Sequence, residues 1–208
     1  MYESARSERS LHVIPAALLA GALVGTALFT PASVWLPIAW IAVGGSLIVL
    51  WISRVADPND RLLLVGGALI GLTLRSVSAW LVVDYAYRYS DMTLYWDLGN
   101  RVAEALANPG ILDVDLIKVV GTSSYGYYLW TGVHVLLLRD QILTSLSNAL
   151  IGTASGVLTY LLARRIWNER VGVIGAWLVW LSSAHIIVDA HSLRDTIATF
   201  SILAIVYG

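Results

Sequence analysis

From Ser10 to Ser53 the chain carries no Asp, Glu, Lys or Arg. A charge-free run of that length has few homes, since about 20 apolar residues already cross the ~30 Å hydrocarbon layer of a bilayer. This run is long enough to cross twice. The stretch "TPASVWLP" (Thr30–Pro37) supplies the reversal, because Pro31 and Pro37 disfavour one continuous helix. The expectation is a hairpin of two spans, near residues 11–30 and 34–53.

Composition points the same way. The 208 residues are 58% hydrophobic and 13% charged, with mean hydropathy +0.73. A soluble domain carries roughly 25% charged residues. Lipid requires a backbone that satisfies its own hydrogen bonds, so an all-α polytopic transmembrane protein is expected. A net charge of −1 with no basic patch argues against a nucleic-acid partner. The chain has no cysteine, which excludes disulfides, thiolate metal sites and Cys nucleophiles. The first ten residues, "MYESARSERS", are polar and mixed in charge. The run after them is too long for a signal-peptide core, so a retained membrane anchor is expected.

Further apolar segments cover 62–83, 141–163 and 171–188, and a sixth begins near Arg194 and is cut off at Gly208. The segment "YGYYLWTGVHVLLL" (Tyr125–Leu138) is short for a span and decides the topology. Arg6 and Arg9, Arg54 and Arg61, and Arg164, Arg165 and Arg170 mark three basic connections that should face the cytoplasm. All three lie inside only if Tyr125–Leu138 does not cross. It is therefore expected as a juxtamembrane helix at the outer interface, within a large external loop over 84–140. Between 84 and 124 that loop sets three cations (Arg88, Arg101, Lys118) against six acids (Asp84, Asp91, Asp97, Glu104, Asp113, Asp115), a net −3. Its "DMTLYWDLGNRVAEALANPG" reads as an amphipathic helix, with Tyr95, Leu98, Val102 and Leu106 on one face. The expected organisation is a cytoplasmic tail (1–10), an extra hairpin (11–53) and a transmembrane module (62–208), truncated at its C-terminus.

Few residues could carry chemistry. Asp91 opens the amphipathic helix with Tyr95 one turn later, and reads either as a helix cap or as a general base on the external face. Arg75 lies inside a span, where a charge is costly: it either snorkels outward or serves a function. In "DAHSLRDTIATF" (189–200), Arg194 and Asp195 form either a solvated helix start or a guanidinium that grips phosphate beside an orienting carboxylate. Asp189 and His191 read as hinge residues, and the spacing of His185 and His191 makes a poor zinc site. No phosphate-cradling glycine loop is present; "GTSSYG" (121–126) lacks its spacing and lysine.

Together, the Asp that opens "D-x-x-x-Y" after a span, the aromatic interfacial stretch and "SLSNALIGTASGVLTYLLARRIW…SLRDTIATF" form an ordered pattern. It resembles the N-terminal module of GT-C-type membrane glycosyltransferases that use lipid-phosphate sugars. The similarity is to protein O-mannosyltransferases and bacterial aminoarabinose transferases, the family 39-like enzymes. The matching motifs are Ser145–Gly152, Tyr160–Arg165 and Asp195–Phe200, and the resemblance covers roughly 62–207. It implies an inverting transfer of a sugar from a polyprenyl-phosphate donor to a protein, glycan or lipid acceptor at the outer face of the plasma (inner) membrane. It also implies catalytic roles for Asp91 and Asp195, with Arg75, Tyr95 and Arg194 binding substrate. Lys118 would stand in for a phosphate-contacting lysine that "GTSSYGYY" lacks. Met92 follows Asp91 where relatives often have a second acid. No cofactor is implied beyond the lipid-linked donor, and nothing in the sequence calls for a divalent metal. The rival readings are a non-catalytic, lipid-binding scaffold subunit and a secondary transporter, which should show charges or broken helices in mid-membrane.

Overall fold

The structure, a computed structural model, describes residues 32–89, 92–108, 125–190 and 194–208. The described residues are helical with short joints and contain no strand. In chain order the helices are α1 (Ala32–Val55), α2 (Arg61–Tyr89), α3 (Met92–Ala107), α4 (Tyr125–Leu137), α5 (Ile142–Ile166), α6 (Glu169–Leu181), α7 (Ser183–Ala190) and α8 (Asp195–Tyr207). The first half of the expected N-terminal hairpin lies outside the described residues. Three helices (α1, α2 and α5) are long and apolar enough to cross a membrane, and α6 with α7 makes a fourth if the bent pair is one span.

The bundle is built around α5, which touches α1, α2, α4, α6, α7 and α8. Of its most apolar stretch 72% is buried, against 22% for α1, so α5 is the central helix and α1 a peripheral one. A central helix in an apolar bundle has no water for its hydroxyls, and α5 turns three of them back on its own backbone. Thr153, Ser155 and Thr159 each donate to the carbonyl four residues earlier, at 2.8, 3.0 and 2.9 Å. Glycines let neighbours approach: a Cβ at Gly44 of α1 would run into Leu150, and one at Gly172 of α6 would sit 2.8 Å from the Tyr160 carbonyl oxygen.

One end of the bundle collects the basic residues. Arg164 donates to the Val55 carbonyl at the end of α1 (3.0 Å) and pairs with Glu169 at the start of α6 (2.8 Å), which also accepts from the Tyr160 hydroxyl. Arg165 reaches the Tyr207 carbonyl at the end of α8 (3.0 Å). Arg54, Arg61 and Arg170 stand in the same terminal turns.

At the other end lie α3 and α4, two short helices packed in parallel. Tyr95 meets Tyr127 and Tyr128, and four residues on, Gly99 meets Thr131 and Gly132. A Cβ at Gly99 would come within 2.6 Å of Thr131, and one at Gly132 within 2.7 Å of Val102, so the pair crosses at van der Waals contact. The amphipathic reading of α3 matches its packing at Tyr95 and Val102, which are buried, and at Leu98, which is partly so; Leu106 is exposed. His134 and Tyr127 lie about 10 Å apart along α4, yet they reach the adjacent residues Ser147 and Asn148 of α5. So α4 lies across the central helix instead of running alongside it.

Candidate functional site

The apolar run 171–188 is not one straight helix. It breaks at Ser182 and bends by 50° between α6 and α7. A helix that stops inside an apolar bundle exposes its last carbonyls, and here Arg75 of α2 takes them. Its Nη1 donates to the Trp180 carbonyl (2.8 Å) and to Gly71 of its own helix (3.2 Å), and its Nη2 donates to Val179 (2.9 Å). Nε donates to Asp189 Oδ2 at 2.6 Å. The other carboxylate oxygen, Oδ1, accepts from Thr196 in the first turn of α8 at 2.6 Å. Arg75 is 0% and Asp189 1% exposed. One guanidinium thus joins α2 to the end of α6 and, through Asp189 and Thr196, to the start of α8.

Two pairs of glycines make room for this node. On α5, Gly152 and Gly156 stand one turn apart: a Cβ at Gly152 would overlap the Asp189 carboxylate, and one at Gly156 the Trp180 indole. On α2, Gly67 and Gly71 face Trp180 from the other side, at 2.6 and 2.8 Å from where their Cβ atoms would be. Trp180, 0% exposed, fills the gap and donates from Nε1 to the Thr153 carbonyl (2.9 Å). This is the small-residue spacing by which membrane helices approach closely, used to seat two side chains.

A second polar node lies under α4. His134 Nδ1 is 2.7 Å from the Trp130 carbonyl, which can only accept, so Nδ1 carries the proton. In the neutral ring, Nε2 then accepts from the Ser147 hydroxyl (2.7 Å), whose oxygen accepts from Trp40 Nε1 (2.8 Å). One serine ties α1, α4 and α5 together. Burial holds the His134 imidazole below its ordinary value near 6.5, against the opposing pull of the bond to Trp130.

The expected site residues divide between these places. Arg75 neither snorkels outward nor meets solvent; all its contacts are to the protein. Asp189, expected as a solvated hinge, is instead its buried partner, because the break at Ser182 turns α7 back onto α2. Tyr95 sits in an aromatic cluster with Tyr127 and Tyr128, and Ile197 of α8 packs against that cluster. Arg194 and Asp195 open α8 two or three residues from Ile197 and are exposed. Neither caps the helix: Arg194 holds the N-cap position in helical geometry without a side-chain capping bond. Asp91 and Lys118 lie outside the described residues, as does His191. Among the described residues, no group of three or more His, Asp or Glu side chains converges to hold a metal ion.

Sequence reasoning missed Asp189 and Trp180 as organising residues. The glycine pairs at four-residue spacing on both α2 and α5 were the signal that could have located them. No family model, curated protein or solved structure matches the chain.

Proposed function

We propose that the chain is a polytopic membrane protein of the plasma (inner) membrane with its basic ends inside. On this reading it is the membrane module of a glycosyltransferase acting at the outer face on a polyprenyl-phosphate sugar. The observation that carries this reading is the meeting of α8 with the parallel α3–α4 pair. The exposed Arg194 and Asp195 open α8 two or three residues before Ile197, which packs on the cluster of Tyr95, Tyr127 and Tyr128, at the end of the bundle away from the basic turns. An exposed cation and carboxylate at the start of one helix, close to a packed aromatic cluster, suit a phosphorylated, polyhydroxylated headgroup.

The mechanism is a one-step inverting displacement. Asp91 takes the proton from the acceptor hydroxyl or amine as the acceptor attacks the anomeric carbon, and the lipid phosphate leaves with the electron pair of the broken C–O bond. Arg194 neutralises that phosphate, an electrostatic contribution made where charge develops, and Asp195 orients Arg194 or the sugar hydroxyls. Lys118 is a further candidate phosphate contact. Arg75 is a positioning residue: through Asp189 and Thr196 it fixes the turn that carries Asp195.

The test uses purified full-length protein and a radiolabelled polyprenyl-phosphate sugar. Label should pass to acceptor, and Asp91→Asn should abolish transfer while leaving the unfolding transition in place. Transfer that survives in Asp91→Asn removes the assigned base. A second reading, secondary transport, is favoured by the broken α6–α7 helix with its charge pair. Against it, the carbonyls at the break are already occupied by Arg75. Solute uptake into vesicles, with no label transfer, would decide for the transporter.

A further inference from the structure

Because α3 and α4 run parallel, their C-terminal ends converge, and between them lies a cleft of about 150 Å³. On a scale of ~30 Å³ per water, that holds about five waters' worth of ligand. It is far smaller than the several hundred Å³ that an intact small-molecule ligand fills. Its floor is apolar, formed by Ala103 and Val135, and its walls are polar: Asn100, Glu104 and Asn108 from α3, and Arg139 just past α4.

Two features make this more than a solvated helix end. First, Glu104 and Arg139 line the same cleft, yet neither closes an ion pair among the described residues. Opposite charges across so small a space, held apart, leave room for something that bridges them. Second, the amides are oriented. Asn100 Nδ2 donates to the Trp96 carbonyl (2.9 Å) and Asn108 Nδ2 to the Glu104 carbonyl (3.4 Å), so one of the two N–H groups of each amide is spent on its own helix. The amide oxygens remain open as acceptors near the Glu104 carboxylate, one helical turn away on either side. The C-terminal ends of both helices add partial negative charge at the same place. The α3 side of the cleft therefore favours an ammonium group, and Arg139 favours the anion attached to it.

We infer that this cleft binds a primary amine joined by a short linker to a phosphate, a phosphoethanolamine-type zwitterion. Its ammonium lies against Glu104 and the two amide oxygens, and its phosphate lies on Arg139. The inference rests on charge and cleft size, and holds whether or not the chain transfers sugar. The headgroup could come from a membrane lipid or from a free phosphoethanolamine, and the test separates the two sources.

The full chain is reconstituted into nanodiscs of phosphatidylcholine and titrated with soluble O-phosphoethanolamine, then with O-phosphocholine, which has no ammonium N–H to donate. In parallel, native mass spectrometry counts phosphatidylethanolamine and phosphatidylcholine retained by the detergent-released protein. Hydrogen bonds to charged groups are stronger than neutral ones, so the amine compound should bind roughly tenfold tighter or more than its trimethylated analogue. Glu104→Gln should erase that preference, and Arg139→Gln should weaken both compounds. Retention of the lipid without binding of the soluble compound assigns the site to the membrane headgroup; the reverse assigns it to the free one. Equal affinity for the two compounds, or a preference that survives Glu104→Gln, overturns the inference. Both residues are exposed, so an unchanged unfolding midpoint should show that each variant folds.

Discussion

Among the described residues two ion pairs link helices of the bundle, and they are built differently. Arg75–Asp189 has side chains 0% and 2% exposed; Arg164–Glu169 has side chains 39% and 30% exposed. The first is fully enclosed, and its cation also satisfies carbonyls at a helix break. The second stands at a bundle end where water can replace either partner. A half-exposed pair contributes little because solvent competes for it. An enclosed pair behaves asymmetrically: forming it costs desolvation, yet removing one partner strands the other charge without water. Arg75–Asp189 is therefore less a source of stability than a fixed joint, whose geometry decides where α7 and α8 go.

The largest effect should come from breaking that joint on one side only. Arg75→Met strands Asp189 and the Val179 and Trp180 carbonyls, and should cost about 3–5 kcal/mol, read by chemical unfolding in detergent. The glycines that make room for the joint come next. Gly67→Ala and Gly156→Ala each push a methyl into Trp180 and should cost about 1–3 kcal/mol by overpacking. The neighbouring Gly66 has no atom within 4 Å of its would-be Cβ. Gly66→Ala should therefore be neutral, or stabilise by up to about 1 kcal/mol through helix propensity. Equal losses at Gly66 and Gly67 would show that the tight seat around Trp180 is not what matters.

The His134 node should respond to pH. Its folded-state value is lowered below the ordinary 6.5, so the unfolded chain takes up the proton first. The contribution of the neutral ring is complete above 6.5 and is lost as pH falls through 6.5 toward the lower folded value. A His134→Gln variant should lack this decline. Smallest of all, Glu169→Gln at the half-exposed pair should change stability by about 0–1 kcal/mol, less at high salt. A loss there as large as that of Arg75→Met would erase the distinction between the two pairs.

Much of the fold could be read from the residues because apolar runs and their charged ends report helices directly. Segments 34–53 and 141–163 became Ala32–Val55 and Ile142–Ile166, and the amphipathic pattern from Tyr95 to Leu106 gave α3. The break at Ser182 was not readable in the same way. The run 171–188 carries no Asp, Glu, Lys or Arg, and its polar interruption, Ser182–Ser183 with His185, does not by itself stop a helix. What stops it is a partner 104 residues away in sequence, the Arg75 guanidinium on the Val179 carbonyl. The same holds for Asp189: beside a span end it looks like a hinge, and only the packing of α7 on α2 buries it. The in-span charge at Arg75 was visible and should have prompted a search for a buried acid. The glycine pairs at 67 and 71 and at 152 and 156 showed where such an acid and its tryptophan neighbour could fit.

That Arg75 serves the protein's own carbonyls and carboxylate, and not a substrate, is tested most directly by a double-mutant cycle. Arg75→Met, Asp189→Leu and the double variant are compared with the parent by unfolding in the same detergent. Each single change should be severe and the double change milder than their sum, with a coupling of about 2 kcal/mol or more between the two sites. Additive losses, or a fully stable Arg75→Met, would contradict the joint and return Arg75 to the candidate phosphate ligands.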